Sequence, residues 1–233
     1  MSNSKVVLVV AAVAAMSAGF WLASIQQSGS EKSAEELKQE AIAQAKNNFS
    51  PIQGTILSPA RKIMVPALIR DNGEILKPED LRGHWSLLFF GYMNCPDICP
   101  VTMGVVAQAK RDASAINHMF PEVVFVSVDP DRDKVEMLSD YVQYFDKAFI
   151  GVTGDATLIK ALSLQMSVVY MKVAPETGSG DAGDDRSNYA VDHSSALLLL
   201  NPEGKLVAFL NPPHDPKTIL KDFQTVVNRS NTL

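Results

Sequence analysis

The sequence predicts an α/β domain of thioredoxin-like arrangement that follows an N-terminal transmembrane helix. An uncharged apolar run, Val6 to Ile25, opens the chain, and strand-like and helix-like patterns alternate through most of the remainder. The only two cysteines of the sequence lie between an apolar strand pattern and a helical pattern, where open α/β sheets usually hold their ligands. The formal net charge of -5 and the lack of a basic stripe argue against nucleic acid as a partner.

The apolar run is long enough to cross a bilayer, because its twenty residues span about 30 Å as a helix. Lys5 precedes the run and Glu31 follows it, which places the N-terminus in the cytoplasm. The run is followed neither by a convincing small-x-small cleavage site nor by the cysteine of a lipoprotein anchor. We expect a cytoplasmic tail at residues 1–5 and an uncleaved anchor at residues 6–25. The alternative is a cleaved signal peptide and a free soluble domain.

A polar spacer is expected at residues 26–48, which are rich in Ala, Glu, Lys and Gln. Ser33 and Glu36 have the spacing of a capping box, which predicts a helix within the spacer. A helix that packs on a partner is the less favoured interpretation. Residues 49–233 have a normal length for one domain with a single core.

Two signals are clear in the part of the domain that precedes the cysteines. The turn sequence Asp71-Asn72-Gly73 predicts a hairpin that returns towards residues 74–76. The apolar run at residues 87–90, LLFF, predicts a fully buried central strand. The other expected elements are irregular structure at 51–59, a strand at 62–69 and a helical turn at 78–83.

Strand and helix patterns alternate after the cysteines. The first helix is predicted from apolar residues at helical spacing, namely Val105, Ala109, Ala113 and Ile116. Asp133 and Glu136 have the spacing of a helix start, and that helix is expected to end near residue 145. The remaining predictions are strands at 123–128, 149–152 and 168–173, a helix at 155–165, a mobile loop at 175–188, a hairpin of 195–200 with 206–210, and an amphipathic helix containing Ile219, Leu220, Phe223, Val226 and Val227.

Cys95 and Cys99 lie in a turn that is rich in proline. Pro96 and Pro100 disfavour the helical conformation at the two cysteines that precede them. Pro100 suits the first position of a helix, with Cys99 as its cap. The positive end of the helix dipole is therefore expected to lower the pKa of the Cys99 thiol. Three residues separate the thiols, so the pair can share a metal ion or close a disulfide.

The alternative interpretation of the cysteines is a structural disulfide, or two buried small residues. Paired cysteines in an exported domain are usually structural. A bridge across three residues constrains very little chain, however, so it would contribute little to the stability of the fold. This favours a reactive pair.

Of the four histidines, only one is placed by its sequence context near the cysteines. His84 is predicted to be a surface turn residue, His118 to end a helix, and His214 to lie in a solvated loop. His193 lies in the segment VDHS, where the expected loop re-enters a core strand. Spacing alone leaves open whether His193 is a ligand.

Acidic residues surround the predicted site. Asp129, Asp131 and Asp133 follow a strand, and we interpret them as strand-end and helix-cap residues. The alternative is that they orient His193 or contact a partner. Asp97, between the cysteines, is expected to shape the turn through its side chain.

Three motifs give the sequence a family resemblance. GYMNCPDICP, SVDPDRD and YAVDHS, the last followed by an NPEG hairpin, closely resemble the Sco/SenC family, and the resemblance covers roughly Gln53 to the C-terminus as well as the anchor. It implies a membrane-anchored, thioredoxin-fold protein that helps to assemble the copper A centre of cytochrome c oxidase. It also implies that Cys95, Cys99 and His193 bind one copper ion, and this donor set suits Cu(I) or Cu(II). Met93-Asn94 departs from the Thr of many relatives, and we expect Met93 to pack rather than to tune the metal.

The favoured function is a metallochaperone that delivers copper to cytochrome c oxidase subunit II or another cuproprotein. The alternative is a thiol-disulfide reductase in which Cys95 and Cys99 are the redox pair and keep the copper-site cysteines of the oxidase reduced. The spacing Cys-x-x-x-Cys differs from the Cys-x-x-Cys of general oxidoreductases, which favours copper. A peroxidase of peroxiredoxin type is disfavoured, because Tyr92 occupies the place of its threonine.

The predicted compartment follows from the anchor. The short N-terminus lacks an Arg-rich transit segment, so we expect a bacterial inner membrane protein with a single span and its C-terminal domain in the periplasm. A periplasmic thiol reductant or a copper donor is a further expected partner.

Overall fold

A mixed eight-stranded sheet forms the framework of the protein in the computed structural model, which describes residues 36–39, 52–173 and 189–230. The chain divides into two units, residues 1–49 and 50–233, and the strands described below belong to the second. The strands are β1 (Gly54–Lys62), β2 (Leu68–Arg70), β3 (Ile75–Leu76), β4 (Ser86–Gly91), β5 (Glu122–Ser127), β6 (Ile150–Thr153), β7 (Tyr170–Val173), β8 (Ala190–His193), β9 (Leu197–Leu200) and β10 (Lys205–Leu210). The order in the main sheet is β1-β10-β9-β4-β5-β6-β2-β3, and β7 pairs with β8 in a separate two-stranded sheet.

Helices connect and cover the strands. A 3-10 helix, Pro78–Leu81, precedes β4, and the α-helices are α1 (Ile98–Ala115), α2 (Val135–Phe145), α3 (Ala156–Gln165) and α4 (Pro216–Ser230). Helix α1 packs against α4, while α2 packs against β6. Trp85 and Phe223 make an edge-to-face contact between the start of β4 and α4, with ring centroids 5.8 Å apart.

Strand β4 lies at the centre of the sheet, and all six of its residues are buried. It runs parallel to β5, which runs parallel to β6, and it pairs with β9 in the antiparallel sense. The four leucines of β9 are also fully buried. Continuous apolar runs of this kind are typical of strands that are covered on both faces. The predicted buried central strand is confirmed.

The parallel pairing of β4 with β5 decides where their following loops meet. Gly91 at the end of β4 pairs with Ser127 at the end of β5. The backbone N–H of Val128 then donates to the carbonyl of Gly91 at 2.8 Å. The cysteine turn and the segment 129–133 therefore leave the sheet side by side.

Several predicted elements are confirmed close to their expected bounds. The hairpin around Asp71-Asn72-Gly73 joins β2 to β3, and Gly73 has the positive φ of 84° that its turn requires. Helix α3 is capped by Asp155, whose side chain accepts from the backbone N–H groups of Thr157 and Leu158. The hairpin of β9 and β10 and the C-terminal helix are also present.

The prediction for residues 51–69 is wrong. Strand β1 occupies Gly54–Lys62, and the following residues are irregular until β2 begins at Leu68. The proline at position 59 suggests irregular structure, but β1 is an edge strand whose register with β10 shifts between Ile56 and Arg61. Edge strands and bulges tolerate proline because no ladder donor is needed there.

The predicted cap of α2 is also wrong. The residue before α2 is Lys134, and it provides no side-chain capping hydrogen bond. The carboxylate of Asp133 instead accepts from the hydroxyl of Ser127 at 2.6 Å and from the backbone N–H of Met93 at 2.9 Å. Asp133 therefore joins the end of β5 to the cysteine turn instead of capping α2. Strand β8 was not predicted as a separate element, and β7 begins at Tyr170 rather than at residue 168.

Some expectations concern residues outside the described part of the chain. These are the anchor at 6–25, the loop at 175–188 and most of the spacer at 26–48. Residues 36–39, within the spacer, are helical. Across residues 36–39, 52–173 and 189–230, no helix combines the length and the apolar character needed to span a bilayer.

Gly91 is expected to be essential for the packing behind the cysteines. A Cβ atom at this position would lie 2.8 Å from Phe125 Cε2 and 2.9 Å from Cys99 Sγ, both too close for an unstrained contact. We expect Gly91→Ala to lower the free energy of unfolding by about 1–3 kcal/mol, measured by urea denaturation of the full chain.

Gly104→Ala is the matched control, because a Cβ atom at this position in α1 meets nothing within 4 Å. Alanine in a helix interior should leave stability unchanged or raise it by up to about 1 kcal/mol. Equal stability of Gly91→Ala and wild type would contradict the close packing of Gly91 against Cys99.

Candidate metal centre

The cysteine turn begins where β4 ends. The backbone N–H of Cys95 donates to the carbonyl of Tyr92 at 3.3 Å, which closes a tight turn after the strand. Helix α1 then begins at Ile98, with Asp97 as the residue before its first turn. Cys95 therefore precedes the helix, while Cys99 lies within its first turn.

This helix start corrects two expectations. Cys99 is the second helical residue and not the cap, and Pro100 is the third helical residue and not the first. Pro100 is tolerated there because the first N–H groups of a helix have no partner within the helix. The side chain of Asp97 makes no capping hydrogen bond, so it does not shape the turn in the way expected.

Three side chains from two distant parts of the sequence converge at this turn. The sulfur atoms of Cys95 and Cys99 and a ring nitrogen of His193 all lie within 4.8 Å of one another. Cys99 Sγ is 3.3 Å from His193 Nε2, and the backbone N–H of Cys99 points to Cys95 Sγ at 3.4 Å. Both thiols are free. Within the described ranges this is the one group of three or more His, Cys, Asp or Glu side chains close enough to share a metal ion.

The imidazole of His193 is oriented by its surroundings. His193 ends β8, opposite Tyr170 of β7, and its Nδ1 lies 3.0 Å from the carbonyl of Ser194. With Nδ1–H donating to this carbonyl, the lone pair of Nε2 faces the thiols, as a metal ligand requires. The rings of Phe89 and Tyr92 meet the imidazole edge-on, with centroids 6.0 and 5.9 Å away.

Burial dominates the electrostatics of the site. Cys99 is 0% exposed, and this burial, together with the neighbouring Cys95, raises the pKa of its thiol well above the ordinary value. The expectation that the helix dipole would lower this pKa is therefore wrong, because desolvation outweighs the dipole. Burial also lowers the pKa of His193, which favours the neutral imidazole that can bind a metal.

The acidic residues lie beside the site rather than in it. Asp133 is buried, and burial raises the pKa of its carboxyl group. Asp129 is buried and accepts from Arg132 and Tyr189, while the exposed Asp131 pairs with Lys172. The carbonyl of Ser194, not a carboxylate, is the acceptor placed at the Nδ1 of His193. None of the three carboxylates caps α2 as expected, and none contacts the imidazole directly; each instead joins neighbouring segments.

The other histidines have separate partners. His84 Nε2 lies 3.0 Å from Glu122 Oε2, and His118 contacts Gln224 at the protein surface. His214 is half-buried rather than solvated, with Nε2 2.8 Å from the carbonyl of Ser195. None of the three belongs to the cluster formed by the cysteines and His193.

The residues that surround the candidate ligands are not predicted by the sequence patterns. Tyr92 was considered only as a departure from a peroxidase motif, yet its ring contacts His193. Arg132 and Tyr189 were not singled out, although they lie in the motifs SVDPDRD and YAVDHS. The available signal was that both residues lie in motifs that carry the family resemblance. Met93 is partly buried and packs against the core, as expected.

The raised pKa of Cys99 has a consequence for its reactivity in the metal-free protein. Only the thiolate reacts with iodoacetamide, so the modification rate of Cys99 should be low at pH 7 and should still be rising above pH 9. Peptide mass spectrometry of the reduced full chain at several pH values measures this rate. The same chain unfolded in urea is the control and should level off near the ordinary cysteine pKa of about 8.5. A plateau below pH 8 in the folded protein would contradict the effect of burial.

Comparison with known proteins places this site in a family. The SCO1/SenC family profile matches residues 62–228. The chain is 37% identical over 149 residues to the mitochondrial SCO1 homolog 1 of Arabidopsis thaliana, a match that covers 64% of this chain and 42% of that protein. It is 35% identical over 155 residues to an SCO2-like protein of Rickettsia felis, covering 66% of this chain and 71% of that one. The match thus spans less than half the length of the plant relative.

The solved structures agree with this result. A crystal structure of Arabidopsis thaliana ScoI with copper bound superposes with a TM-score of 0.61 at 33% identity, covering 70% of this chain and 95% of the other. The shared fold confirms the predicted thioredoxin-like α/β arrangement. Since the family profile covers most of the sequence, from β1 to α4, the chain belongs to the SCO1/SenC family.

Proposed function

We propose that this protein is a membrane-anchored copper metallochaperone that carries one copper ion on Cys95, Cys99 and His193. It delivers the ion to the copper A centre of cytochrome c oxidase. The observation that carries this proposal is the convergence of two free thiols and one imidazole nitrogen within 4.8 Å of one another. A related structure of the same fold was solved with copper bound, which supports copper as the cargo.

The donor set matches the chemistry of copper. Thiolate sulfur is a soft ligand that selects Cu(I), and an imidazole nitrogen suits copper in either oxidation state. The ligands must be deprotonated before they bind a metal, so loading releases the protons of the thiols. The low pKa of His193 leaves its Nε2 unprotonated, so this nitrogen needs no proton loss at neutral pH.

The exposure of the ligands suits transfer better than permanent storage. Cys99 is 0% exposed and Cys95 is 8% exposed, whereas His193 is only half-buried. A partner can therefore replace the histidine first and then the thiolates by ligand exchange. Ile98 and Val101, on the exposed face of α1 next to Cys99, provide apolar surface for this encounter.

A thiol-disulfide reductase is the second candidate function. Cys95 and Cys99 are both free and close together, so a mixed disulfide formed by one could be resolved by the other. The deep burial and raised pKa of Cys99 make it a poor attacking thiolate, which leaves Cys95 for that role. A reductase can work without His193, whereas a copper site needs a third ligand, so its position beside Cys99 favours the copper carrier.

The cellular location belongs to the same proposal. Residues 6–25 anchor the chain in a bacterial inner membrane, and residues 49–233 lie in the periplasm. A periplasmic compartment is oxidising, so a thiol reductant must keep Cys95 and Cys99 reduced, and a copper donor must load them. The acceptor is subunit II of the oxidase or another cuproprotein.

Copper transfer is expected to depend on His193, because loss of one of three ligands weakens the hold on the ion by at least about tenfold. The full chain in detergent is loaded with one equivalent of Cu(I) and mixed with the reduced, copper-free soluble domain of oxidase subunit II. After separation, copper in the acceptor is measured. Wild type and the control His84→Ala should transfer copper, whereas His193→Ala should retain too little after loading to do so.

A second arm tests the reductase candidate. The acceptor is supplied with its two copper-site cysteines oxidised to a disulfide, and its free thiols are counted after reaction with the reduced full chain. If wild type moves no copper while wild type and His193→Ala reduce this disulfide equally, the copper-carrier proposal is wrong and the reductase takes its place.

A further inference from the structure

We propose that Arg132 is a positioning residue that holds His193 at the correct distance from the cysteines, an inference that rests on the proposed copper site. Arg132 does so as the centre of a group of four side chains, Asp129, Arg132, Lys172 and Tyr189. We call this group the hairpin clamp. It connects the segment after β5 to the β7–β8 hairpin that carries His193.

The hairpin needs external support to hold a ligand in place. Strands β7 and β8 pair only with each other among the described strands, and each is four residues long. Two-stranded sheets of this size are only marginally stable alone. Val191 and Tyr170 pack against the core, but Met171 and Val173 are exposed. The apolar contacts of the hairpin therefore anchor one face only.

Arg132 contacts both the segment after β5 and the start of β8. Its side chain is 16% exposed, and its Nε donates to Asp129 Oδ2 at 2.5 Å. Its Nη1 donates to the carbonyl of Tyr189, the residue before β8, at 2.9 Å. The guanidinium carbon lies 3.7 Å from the ring centroid of Tyr189 and 5.6 Å from that of Tyr92. The Tyr92 ring also contacts the imidazole of His193. Arg132 is therefore connected to His193 in two ways, through the Tyr92 ring and through Tyr189, which precedes β8.

Asp129 and Lys172 complete the hairpin clamp. The carboxylate of Asp129 is 0% exposed and accepts from the hydroxyl of Tyr189 as well as from Arg132. Lys172, in β7, lies 3.9 Å from Asp129, 2.5 Å from the carboxylate of Asp131 and 4.7 Å from the ring centroid of Tyr189. Removing a cation would leave the Asp129 carboxylate buried with incomplete compensation, which is costly. Both strands of the hairpin are thereby tied to residues 129–132.

The same segment also holds the cysteine turn. The carboxylate of Asp133 accepts the backbone N–H of Met93, two residues before Cys95, and the hydroxyl of Ser127 at the end of β5. One short segment, residues 129–133, thus fixes the turn with the thiols through Asp133 and the hairpin with the imidazole through Arg132. The distance from Cys99 Sγ to His193 Nε2 therefore depends on the hydrogen bonds of both Asp133 and Arg132.

The geometry requires arginine and not merely a positive charge. The planar guanidinium donates from Nε to a carboxylate and from Nη1 to a carbonyl while it lies on an aromatic ring. A lysine ammonium cannot make these contacts together. Arg132→Lys should therefore restore part of the function that Arg132→Met loses.

The test compares copper affinity in full-chain variants by Cu(I) competition. We expect Arg132→Met to weaken Cu(I) binding by about tenfold, the effect of losing a residue that orients a ligand, and Arg132→Lys to weaken it less. The matched control is Lys110→Met, because Lys110 also combines an ion pair, 2.5 Å to Asp146, with a position 5.4 Å over an aromatic ring, that of Phe149. It should change the affinity by less than about twofold, since neither contact involves the site.

Two further measurements separate positioning from a general loss of stability. In the His193→Ala background, Arg132→Met should cause no further loss of affinity, because the residue through which it acts is absent. In the metal-free protein, Arg132→Met should speed amide hydrogen exchange in residues 170–173 and 190–193 by about tenfold or more while leaving β4 and β5 protected. Lys110→Met should leave exchange in the hairpin as in wild type.

The outcomes distinguish this inference from the proposed function. If His193→Ala weakens copper binding but Arg132→Met changes neither affinity nor hairpin exchange, the positioning inference is wrong and the copper site stands. An equal loss from Arg132→Met with and without His193 would also overturn it. If wild type binds no copper, the proposed function fails, and hairpin exchange still decides whether Arg132 holds the hairpin. If Arg132→Met does not fold, the same test is made with Arg132→Lys. Unchanged copper affinity and unchanged hairpin exchange in that variant would then show that the positioning inference is wrong.

Discussion

The site depends on the parallel pairing of β4 with β5. Their aligned ends, closed by the hydrogen bond from Val128 to Gly91, place the cysteine turn next to residues 129–133. From this position Asp133 reaches the turn and the hairpin clamp reaches the strand that carries His193. A shift of this pairing by one residue would turn every side chain of β4 to the opposite face and remove the relation between the thiols and their neighbours.

Burial affects the candidate ligands Cys99 and His193 in different ways. Cys99 is enclosed behind Gly91, whose missing side chain leaves the space for its sulfur. In the metal-free protein this enclosure favours the protonated thiol, while it favours the neutral form of His193. The protonated Cys99 thiol and the neutral imidazole of His193 can remain close without charge repulsion. The site is therefore prepared for a cation that supplies the positive charge needed to stabilise two thiolates.

Local patterns in the sequence predicted most of the elements, β1 and β8 excepted, but not the contacts between them. The apolar run of β4, the turn at Gly73 and the cap Asp155 are local signals, and each gave a correct element. The pKa of Cys99 was predicted in the wrong direction, because the helix dipole is visible in the sequence and the depth of burial is not. His193 lies 94 residues from Cys99, so spacing left its role open and only the family resemblance pointed to it. The link between Arg132 and Tyr189 spans 57 residues and has no local signature.

The proposed copper carrier requires that Cys95, Cys99 and His193 share one copper ion. X-ray absorption spectroscopy at the copper edge of the full chain loaded with one equivalent of Cu(I) tests it most directly, because the spectrum reports the number and kind of ligand atoms. We expect two sulfur ligands and one imidazole nitrogen in wild type, with the imidazole contribution lost in His193→Ala and retained in His84→Ala. An imidazole contribution that persists in His193→Ala, or a single sulfur ligand in wild type, would contradict it.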